Sequence, residues 1–249
     1  MTRFFTEPQN ISNKIIRLNA DDTRHIRTLR LRPDEQFVVC DGNGTDYICQ
    51  LGERDDHTVA EIKEQRKSIG EPSVKCRIFV AYQKGDRLDL ATQKSVELGV
   101  HEIILFESER CIAVPNDIPK KIARLQRIAF ETAKLCNRGI IPNVSAIGKF
   151  ENAVDEAANS SDLTLFFYEA EEQLYIKDIL EKHFSSSDTD GGVSTISIIT
   201  GPEGGFEPHE VGIARSRNIP IVSLGPRILR SETAPPVALT TIMYQSGNL

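Results

Sequence analysis

The chain has 249 residues and a formal net charge of −6, with 36 acidic and 30 basic side chains. This length can bury the core of one large or two modest domains, but the acidic balance argues mildly against a broad nucleic-acid-binding face, which is usually basic. The five cysteines form no Cys-x-x-Cys pair and no apolar run approaches the roughly 20 residues of a membrane span, so we expect a cytoplasmic protein with reduced thiols and neither a disulfide framework nor a zinc site.

Residues 1–70 alternate short apolar runs with turn signals. The run 36–40 leads into Asp-Gly-Asn-Gly at 41–44 and then into the run 47–51, which predicts a hairpin whose turn favours positive φ. Residues 58–62 supply another strand, and 22–31 has the pattern of a short helix that ends before Pro33. We therefore predict a small β-barrel over residues 1–70.

The charged segment 64–73 has no apolar periodicity and predicts a linker. After it, short strands rich in β-branched residues alternate with helices. The strands are expected at 77–82, 102–106, 163–168, 195–200 and 219–224, and the helices at 86–98, 118–136, 171–184 and 208–217. This alternation predicts an α/β domain over 73–249, with a parallel sheet covered on both faces and a polar surface loop at 185–192.

Two glycine-bearing loops follow the last two predicted strands. TGPEGGF occupies residues 200–206, and LGPRILRSETA occupies residues 224–234. Because open α/β sheets bind ligands outside the carboxyl ends of their strands, the two loops can form one backbone-lined pocket. Neither loop is a P-loop or a GxGxxG fingerprint, so a nucleotide-binding oxidoreductase is the weakest alternative.

The two loops resemble the cofactor-binding end of SPOUT-class RNA methyltransferases. The resemblance is closest to the RsmE family, which methylates N3 of a uridine in 16S ribosomal RNA. It extends through RFF at 3–5, HIRTLRL at 25–31, CDGNG at 40–44 and KGDR at 84–87, and so spans nearly the whole chain. Where the family usually has Glu-Gln, this chain has Lys134-Leu135.

The resemblance implies an N-terminal PUA-like RNA-binding barrel and a C-terminal SPOUT domain with a deep trefoil knot. Strand patterns alone predict an ordinary doubly wound sheet, since chain connections are normally unknotted. The resemblance also implies a homodimer, S-adenosylmethionine as cofactor, and 16S ribosomal RNA as substrate, within the small ribosomal subunit or as free RNA.

The resemblance places the cofactor against backbone groups of both loops, where glycines keep Cβ atoms away and apolar side chains form the walls. The predicted cofactor-binding residues are Ile199, Gly201, Glu203, Gly204, Gly205, Leu224, Gly225, Leu229, Arg230 and Thr233. Glu203 is explained equally well as a charge at a helix end. Residues 231–233 also have the composition of a helix N-terminus.

Methylation of uracil N3 requires loss of the N3 proton, because the protonated nitrogen is not nucleophilic. A carboxylate can accept that proton, and a guanidinium can stabilise the charge that spreads to O2 and O4. We therefore predict Glu232 as the base or an orienting group, with Arg230 or Arg138 as its charge-stabilising partner. A sulfonium donor needs no metal.

Two basic clusters lie on the otherwise acidic chain, one near the N-terminus and one on the helix at 118–136. Such clusters fit phosphate contacts, which position RNA without reading bases, although a charged stripe is as often a solvated face. The predicted RNA-binding residues are Arg3, Arg24, Arg27, Arg30, Arg124 and Arg127. The target base would be unstacked into the pocket. A SPOUT enzyme for another RNA and a non-catalytic RNA-binding ribosome-assembly factor remain the alternatives.

Overall fold

The computed structural model describes residues 1–54, 57–186 and 193–249, so most of the predicted loop at 185–192 lies outside the described residues. The chain forms two compact units. Met1–Glu71 and Ala133–Ile141 make the first, and Pro72–Thr132 and Pro142–Leu249 make the second. No pattern in the sequence indicates that 133–141 pack with the first unit.

The first unit is a six-stranded sheet with one α-helix. Its strands are β1 (Arg3–Phe5), β2 (Ile11–Ser12), β3 (Ile15–Arg17), β4 (Phe37–Cys40), β5 (Thr45–Arg54) and β6 (His57–Lys67), in the order β1-β4-β5-β6-β3-β2, and its helix is α1 (Ala20–Leu29). The pair β1 and β4 is parallel and the other pairs are antiparallel. A buried cluster that includes Phe4, Ile16 and Phe37 forms its core.

The predicted hairpin at 36–51 is confirmed by the pairing of β4 with β5. Gly42 and Gly44 in its turn have φ values of +75° and +92°, a region that favours glycine. The predicted linker is wrong in part, because β6 continues to Lys67 and pairs with the start of β5. Hydrogen bonds to β5 hold this charged run in a strand, although it lacks the alternating apolar residues from which a strand is predicted.

The second unit contains a six-stranded, wholly parallel sheet. Its strands are β7 (Lys75–Ala81), β8 (Glu102–Glu107), β9 (Asn143–Lys149), β10 (Leu163–Phe167), β11 (Thr195–Thr200) and β12 (Ile221–Val222). Its helices are α2 (Arg87–Glu97), α3 (Ile118–Leu135), α4 (Phe150–Asn159), α5 (Ile176–Ser186), α6 (Pro208–Ser216) and α7 (Ala234–Gln245). The predicted parallel sheet is confirmed.

Two elements of this unit were missed by the pattern. Strand β9 lies at the sheet edge, and only Val144 among its residues is buried, so it shows no apolar run. Helix α4 follows it directly and buries Phe150, Ala153, Val154 and Ala157. In contrast, the strand expected at 219–224 is reduced to the two residues of β12.

The strand order β12-β10-β11-β7-β8-β9 decides where loops meet. All six strands run in one direction, so the loops at their carboxyl ends share one edge of the sheet. Strand β10 lies between β11 and β12, which are the strands that carry the two glycine-bearing loops. The loop after β10 is therefore inserted between those two loops. Within the described residues, the helices are all too short or too polar to span a membrane.

Candidate active site

A cavity of about 660 Å³ opens at the carboxyl ends of β10, β11 and β12. Loop segments that begin at Phe167, Thr200 and Val222 line it, together with Arg87 at the start of α2. This volume lies within the range of about 300–1,000 Å³ that is typical of small-molecule and cofactor sites. The two glycine-bearing loops thus face one ligand-sized space.

The third wall of the cavity consists of Phe167, Tyr168 and Glu169, which no sequence motif identified as site residues. Phe167 is the last residue of β10 and the other two follow it, and local sequence does not predict where this strand lies in the sheet. Glu169 approaches Gly205 so closely that a Cβ on that glycine would stand 1.9 Å from the Glu169 Oε1 atom. A side chain at position 205 would therefore collide with the third loop.

Glycines shape the loop after β11. Gly205 has φ +70°, and Gly201 packs so closely on the ring of Phe206 that a Cβ would lie 3.0 Å from it. In the loop after β12, Gly225 has φ +113° with nothing within 4 Å of an added Cβ. Glycine therefore permits the close packing at Gly201 and the positive φ at Gly205 and Gly225.

Glu203 is anchored to the beginning of α2. Its Oε1 atom accepts a hydrogen bond from the Lys84 N–H at 2.7 Å and another from the Arg87 guanidinium. Burial raises the pKa of Glu203, but these donors outweigh burial and hold its pKa below the usual value of 4.5. Its Oε2 atom is buried and has no hydrogen-bond partner among the described residues.

Glu232 lies in the cavity wall with only 11% of its side chain exposed. Its carboxylate is 3.5 Å from the Arg87 Nε atom and 3.9 Å from the Arg230 Nη1 atom, and it accepts a hydrogen bond from the Ser231 hydroxyl at 3.3 Å. The Gln83 side-chain amide donates to the Ser231 carbonyl at 3.0 Å and holds this part of the loop. The Glu232 carboxylate therefore lies beside two guanidinium groups, those of Arg87 and Arg230.

Arg110 stabilises the loop after β11 from outside the cavity. It donates to the Gly204 carbonyl at 3.0 Å and to the Glu207 carboxylate at 2.6 Å. The Arg110 hydrogen bond holds the pKa of Glu207 below its usual value. Glu207 and Glu210 form a capping box at the start of α6, so the loop is tied to a helix N-terminus.

Comparison with known proteins places this geometry in a family. The model of the RNA methyltransferase domain matches residues 70–243, and the model of the RNA methyltransferase PUA domain matches residues 18–63. The ribosomal RNA small subunit methyltransferase E of Mesomycoplasma hyopneumoniae is 32% identical over 96% of this chain and 98% of its own length. The chain belongs to the ribosomal RNA small subunit methyltransferase E family.

Other relatives agree with this assignment. The protein of the same name from Bacillus subtilis is 29% identical, over 99% of this chain and 97% of its own. A crystal structure of the Neisseria gonorrhoeae ribosomal RNA small subunit methyltransferase E bound to S-adenosyl methionine superposes with a TM-score of 0.80. It is 30% identical and covers 98% of this chain and 97% of that one. The first unit is accordingly a PUA-like domain, and the second is the RNA methyltransferase domain of an enzyme.

The structure brings most of the predicted cofactor-binding residues of this methyltransferase to one place. Eight of the ten line the cavity: Gly201, Glu203, Gly204, Gly205, Leu224, Gly225, Leu229 and Arg230. Ile199 and Thr233 are not among the lining residues. Ile199 lies in the hydrophobic core, and Thr233 precedes α7 at its N-cap position.

Arg138 is not brought to the cavity. It belongs to the first unit, where its buried guanidinium donates to the Glu71 carboxylate at 2.8 and 2.9 Å. The same carboxylate accepts from the Gly139 N–H at 2.7 Å. This arrangement gives Arg138 a structural role in holding 133–141 to the first unit. Of the two arginines predicted to assist Glu232, the structure therefore places only Arg230 at the cavity.

The predicted RNA-binding residues differ in accessibility. Arg24, Arg27 and Arg30 are exposed on α1 and at its end, and Arg127 is exposed on α3. Arg124 is paired with Asp86 and Asp89, so its charge is partly neutralised. The prediction that Arg3 binds RNA is wrong. Its buried guanidinium donates two hydrogen bonds to the Asp46 carboxylate, at 2.6 and 2.7 Å, and is not available to a phosphate.

The five cysteines are free thiols, and Cys40, Cys49 and Cys76 are buried. Among the residues that the structure describes, no group of three or more His, Cys, Asp or Glu side chains could hold a metal ion. Cys49 and Cys76 are buried thiols, and burial raises the pKa of each to about 12. Thiols with such a raised pKa are inert packing residues at neutral pH.

Proposed function

We propose that this enzyme transfers a methyl group from S-adenosylmethionine to N3 of a uridine in 16S ribosomal RNA. The observation that carries the proposal is the cavity in which the two glycine-bearing loops meet Glu232 and Arg230. Support comes from the 30% identical methyltransferase E of Neisseria gonorrhoeae, which binds S-adenosyl methionine and superposes over nearly the whole chain.

The residues that line the cavity fit such a cofactor. Gly225 lines the cavity and has no atom within 4 Å of an added Cβ, so its backbone is open to a ligand. The Thr200 hydroxyl and the Glu203 Oε2 atom are buried in this wall without partners among the described residues, and a buried polar atom of this kind is costly unless a ligand satisfies it. When bound, S-adenosylmethionine supplies an electrophilic methyl group on a sulfonium.

The chemistry falls to a few side chains. Glu232 accepts the N3 proton, and its own orientation is set by Ser231 and Arg87. Arg230, with 82% of its side chain exposed, is free to turn toward the uracil oxygens and stabilise their negative charge. Positioning and electrostatic stabilisation then account for most of the rate, as in reactions without a covalent intermediate.

The test is methyl transfer from labelled S-adenosylmethionine to unmodified bacterial small ribosomal subunits and to their purified RNA. Nucleoside mass spectrometry identifies the product. N3-methyluridine in either sample is the expected result, and the ratio between the samples identifies the subunit or the free RNA as substrate. A different methylated nucleoside would overturn the target, and cofactor binding without methylation would point to another RNA. Absence of cofactor binding would instead favour a non-catalytic RNA-binding factor.

Replacing Gly205 by Ala is expected to weaken binding of S-adenosylmethionine by about tenfold. A residue with a Cβ in the left-handed region costs roughly 1–3 kcal/mol, and 1.4 kcal/mol corresponds to a factor of ten. A turn of the exposed Glu169 side chain can relieve the collision, but the backbone strain at φ +70° can be relieved only by a shift of the loop. Calorimetric titration of the cofactor measures the change.

Gly247 provides the matched control, because it has φ +73°, open space around an added Cβ and no place in the cavity wall. Gly247→Ala is expected to bind the cofactor as the wild type does. Equal affinities for both variants would mean that the backbone at 205 does not contact the cofactor.

A double charge reversal on α1, Arg24→Glu with Arg27→Glu, is expected to weaken RNA binding and to lower the salt dependence. Each lost phosphate contact reduces the slope of log K against log salt by about 1, so the pair should reduce it by about 2. Fluorescence anisotropy with labelled 16S RNA over a salt series measures both quantities. Lys177→Glu with Arg215→Glu changes the same charge on exposed positions of α5 and α6. If both double variants reduced binding equally, net charge rather than α1 would be responsible.

The family resemblance also implies a trefoil knot and a homodimer, and the cysteine pattern and the lack of a membrane-length apolar run predict a location in the cytoplasm. These stay predictions, as does the phosphate-binding role of Arg127. Lys134 and Leu135, which stand where the family usually has Glu-Gln, are not among the residues that line the cavity.

A further inference from the structure

Arg87 occupies an unusual place in the cavity wall. It is the first residue of α2 and comes from a different part of the chain than the three loops. Its Nη1 atom donates to the Glu203 carboxylate, and its Nε atom lies 3.5 Å from the Glu232 carboxylate. One side chain on a helix therefore contacts an acid from each of the two glycine-bearing loops.

The guanidinium is suited to this double contact. Its five N–H donors point outward in a fixed plane, so its Nη and Nε edges can serve two carboxylates at once. A lysine ammonium is a single point on a flexible stem and would have to divide one centre between the two acids. The geometry thus depends on arginine and not only on positive charge.

The charges around Arg87 show what its loss would leave. Arg230 is 3.9 Å from Glu232 but largely exposed, and its charge is therefore screened by water. Lys84 reaches Glu203 through its backbone N–H alone. Without Arg87, the carboxylates of Glu203 and Glu232 would lie in the same cavity wall without the guanidinium that now contacts both of them. Two like charges in a partly buried site repel, and the loops that carry them would separate.

We propose that Arg87 is a positioning residue that joins the loop at 200–206 to the loop at 224–233 and orients Glu232 for proton removal. The part that concerns Glu232 rests on the proposed function, whereas the joining of the loops does not.

Three variants test the proposal: Arg87→Gln removes the charge, Arg87→Lys keeps it, and Arg217→Gln is the control. Arg217 has the same side-chain exposure as Arg87, 39%, and pairs with Asp155 outside the cavity. Hydrogen exchange of backbone amides, measured by mass spectrometry, reports on loop order without any substrate. We expect faster exchange at 200–206 and 224–233 in Arg87→Gln, partial recovery in Arg87→Lys, and wild-type exchange in Arg217→Gln. Unchanged exchange in Arg87→Gln would overturn the joining of the loops.

The contact with Glu232 is tested by kinetics in a double-mutant cycle. Arg87→Gln is expected to lower kcat by about tenfold, which is within the range for coupled neighbouring groups. In the Glu232→Gln background the same substitution should change kcat by less than about twofold, because the group it orients is gone. A full tenfold loss in that background would show that Arg87 does not act through Glu232. If the wild type methylated no RNA, the proposed function would fail, and hydrogen exchange would still decide the role of Arg87.

Discussion

Replacement of Glu232 by Gln should slow methyl transfer by about 10²- to 10⁴-fold, the usual contribution of a general base. Glutamine keeps the shape of the side chain and its contact with Arg87 but cannot accept the N3 proton. Affinity for S-adenosylmethionine should change little, since the cofactor is expected to contact backbone groups of the glycine-bearing loops. Single-turnover kinetics with cofactor and RNA in excess over their dissociation constants isolates the chemical step.

Glu169→Gln is the matched control for this variant. Glu169 is another carboxylate in the same cavity wall, but it is exposed and belongs to the loop after β10. Its neutralisation is expected to leave the single-turnover rate within about a factor of five of the wild type, since it holds no proton of the reaction. A normal rate for Glu232→Gln would remove Glu232 from the mechanism. Equal losses in both variants would assign the effect to the removal of a negative charge from the cavity wall and not to a proton acceptor at position 232.

Replacement of Asp46 by Ala should lower the free energy of unfolding of the first unit by about 3–5 kcal/mol, because it leaves the Arg3 guanidinium buried without its partner. The two side chains are 3% and 0% exposed and form two hydrogen bonds, and the Ser68 hydroxyl donates to the same carboxylate at 2.5 Å. Because the chain has no tryptophan, its unfolding cannot be followed by tryptophan fluorescence. Native-state hydrogen exchange of the β4 and β5 amides measures the stability of this unit instead.

A surface pair provides the control for Asp46. Arg24 and Asp21 approach to 3.4 Å, but their side chains are 78% and 88% exposed. Asp21→Ala is expected to change stability by less than about 0.5 kcal/mol. Similar small effects for both aspartates would mean that the first unit tolerates an unpaired buried arginine by admitting water.

The same measurement against pH distinguishes charge from packing. Burial alone raises the pKa of Asp46, but the hydrogen bonds from Arg3 and Ser68 outweigh it and hold the pKa below the usual 3.8. A carboxylate with a lowered pKa stabilises the fold above its unfolded pKa and loses that contribution as the pH falls through its folded value. The wild-type unit should therefore lose stability below about pH 4, and Asp46→Ala should lose less over the same range.

Local patterns determined much of this protein. The hairpin at 36–51, the parallel strands and the two glycine-bearing loops all follow from apolar periodicity and turn chemistry between residues close in the chain. Eight of the predicted cofactor-binding residues line the cavity for the same reason, because loops at the ends of parallel strands share an edge. Glu232 and Arg230 come together because they are two positions apart.

Only the tertiary structure decided which distant segments join the two glycine-bearing loops at the cavity. The loop at 167–169 enters the cavity because β10 lies between β11 and β12, an order that the chain does not carry locally. Arg87 reaches Glu203 and Glu232 across separations of more than one hundred residues. Arg3 and Arg138 carry the same charge as the exposed arginines, but their carboxylate partners lie 43 and 67 residues away and bury them. Periodicity reports whether a residue faces a core, whereas the partner that a charged group finds depends on how the strands assemble.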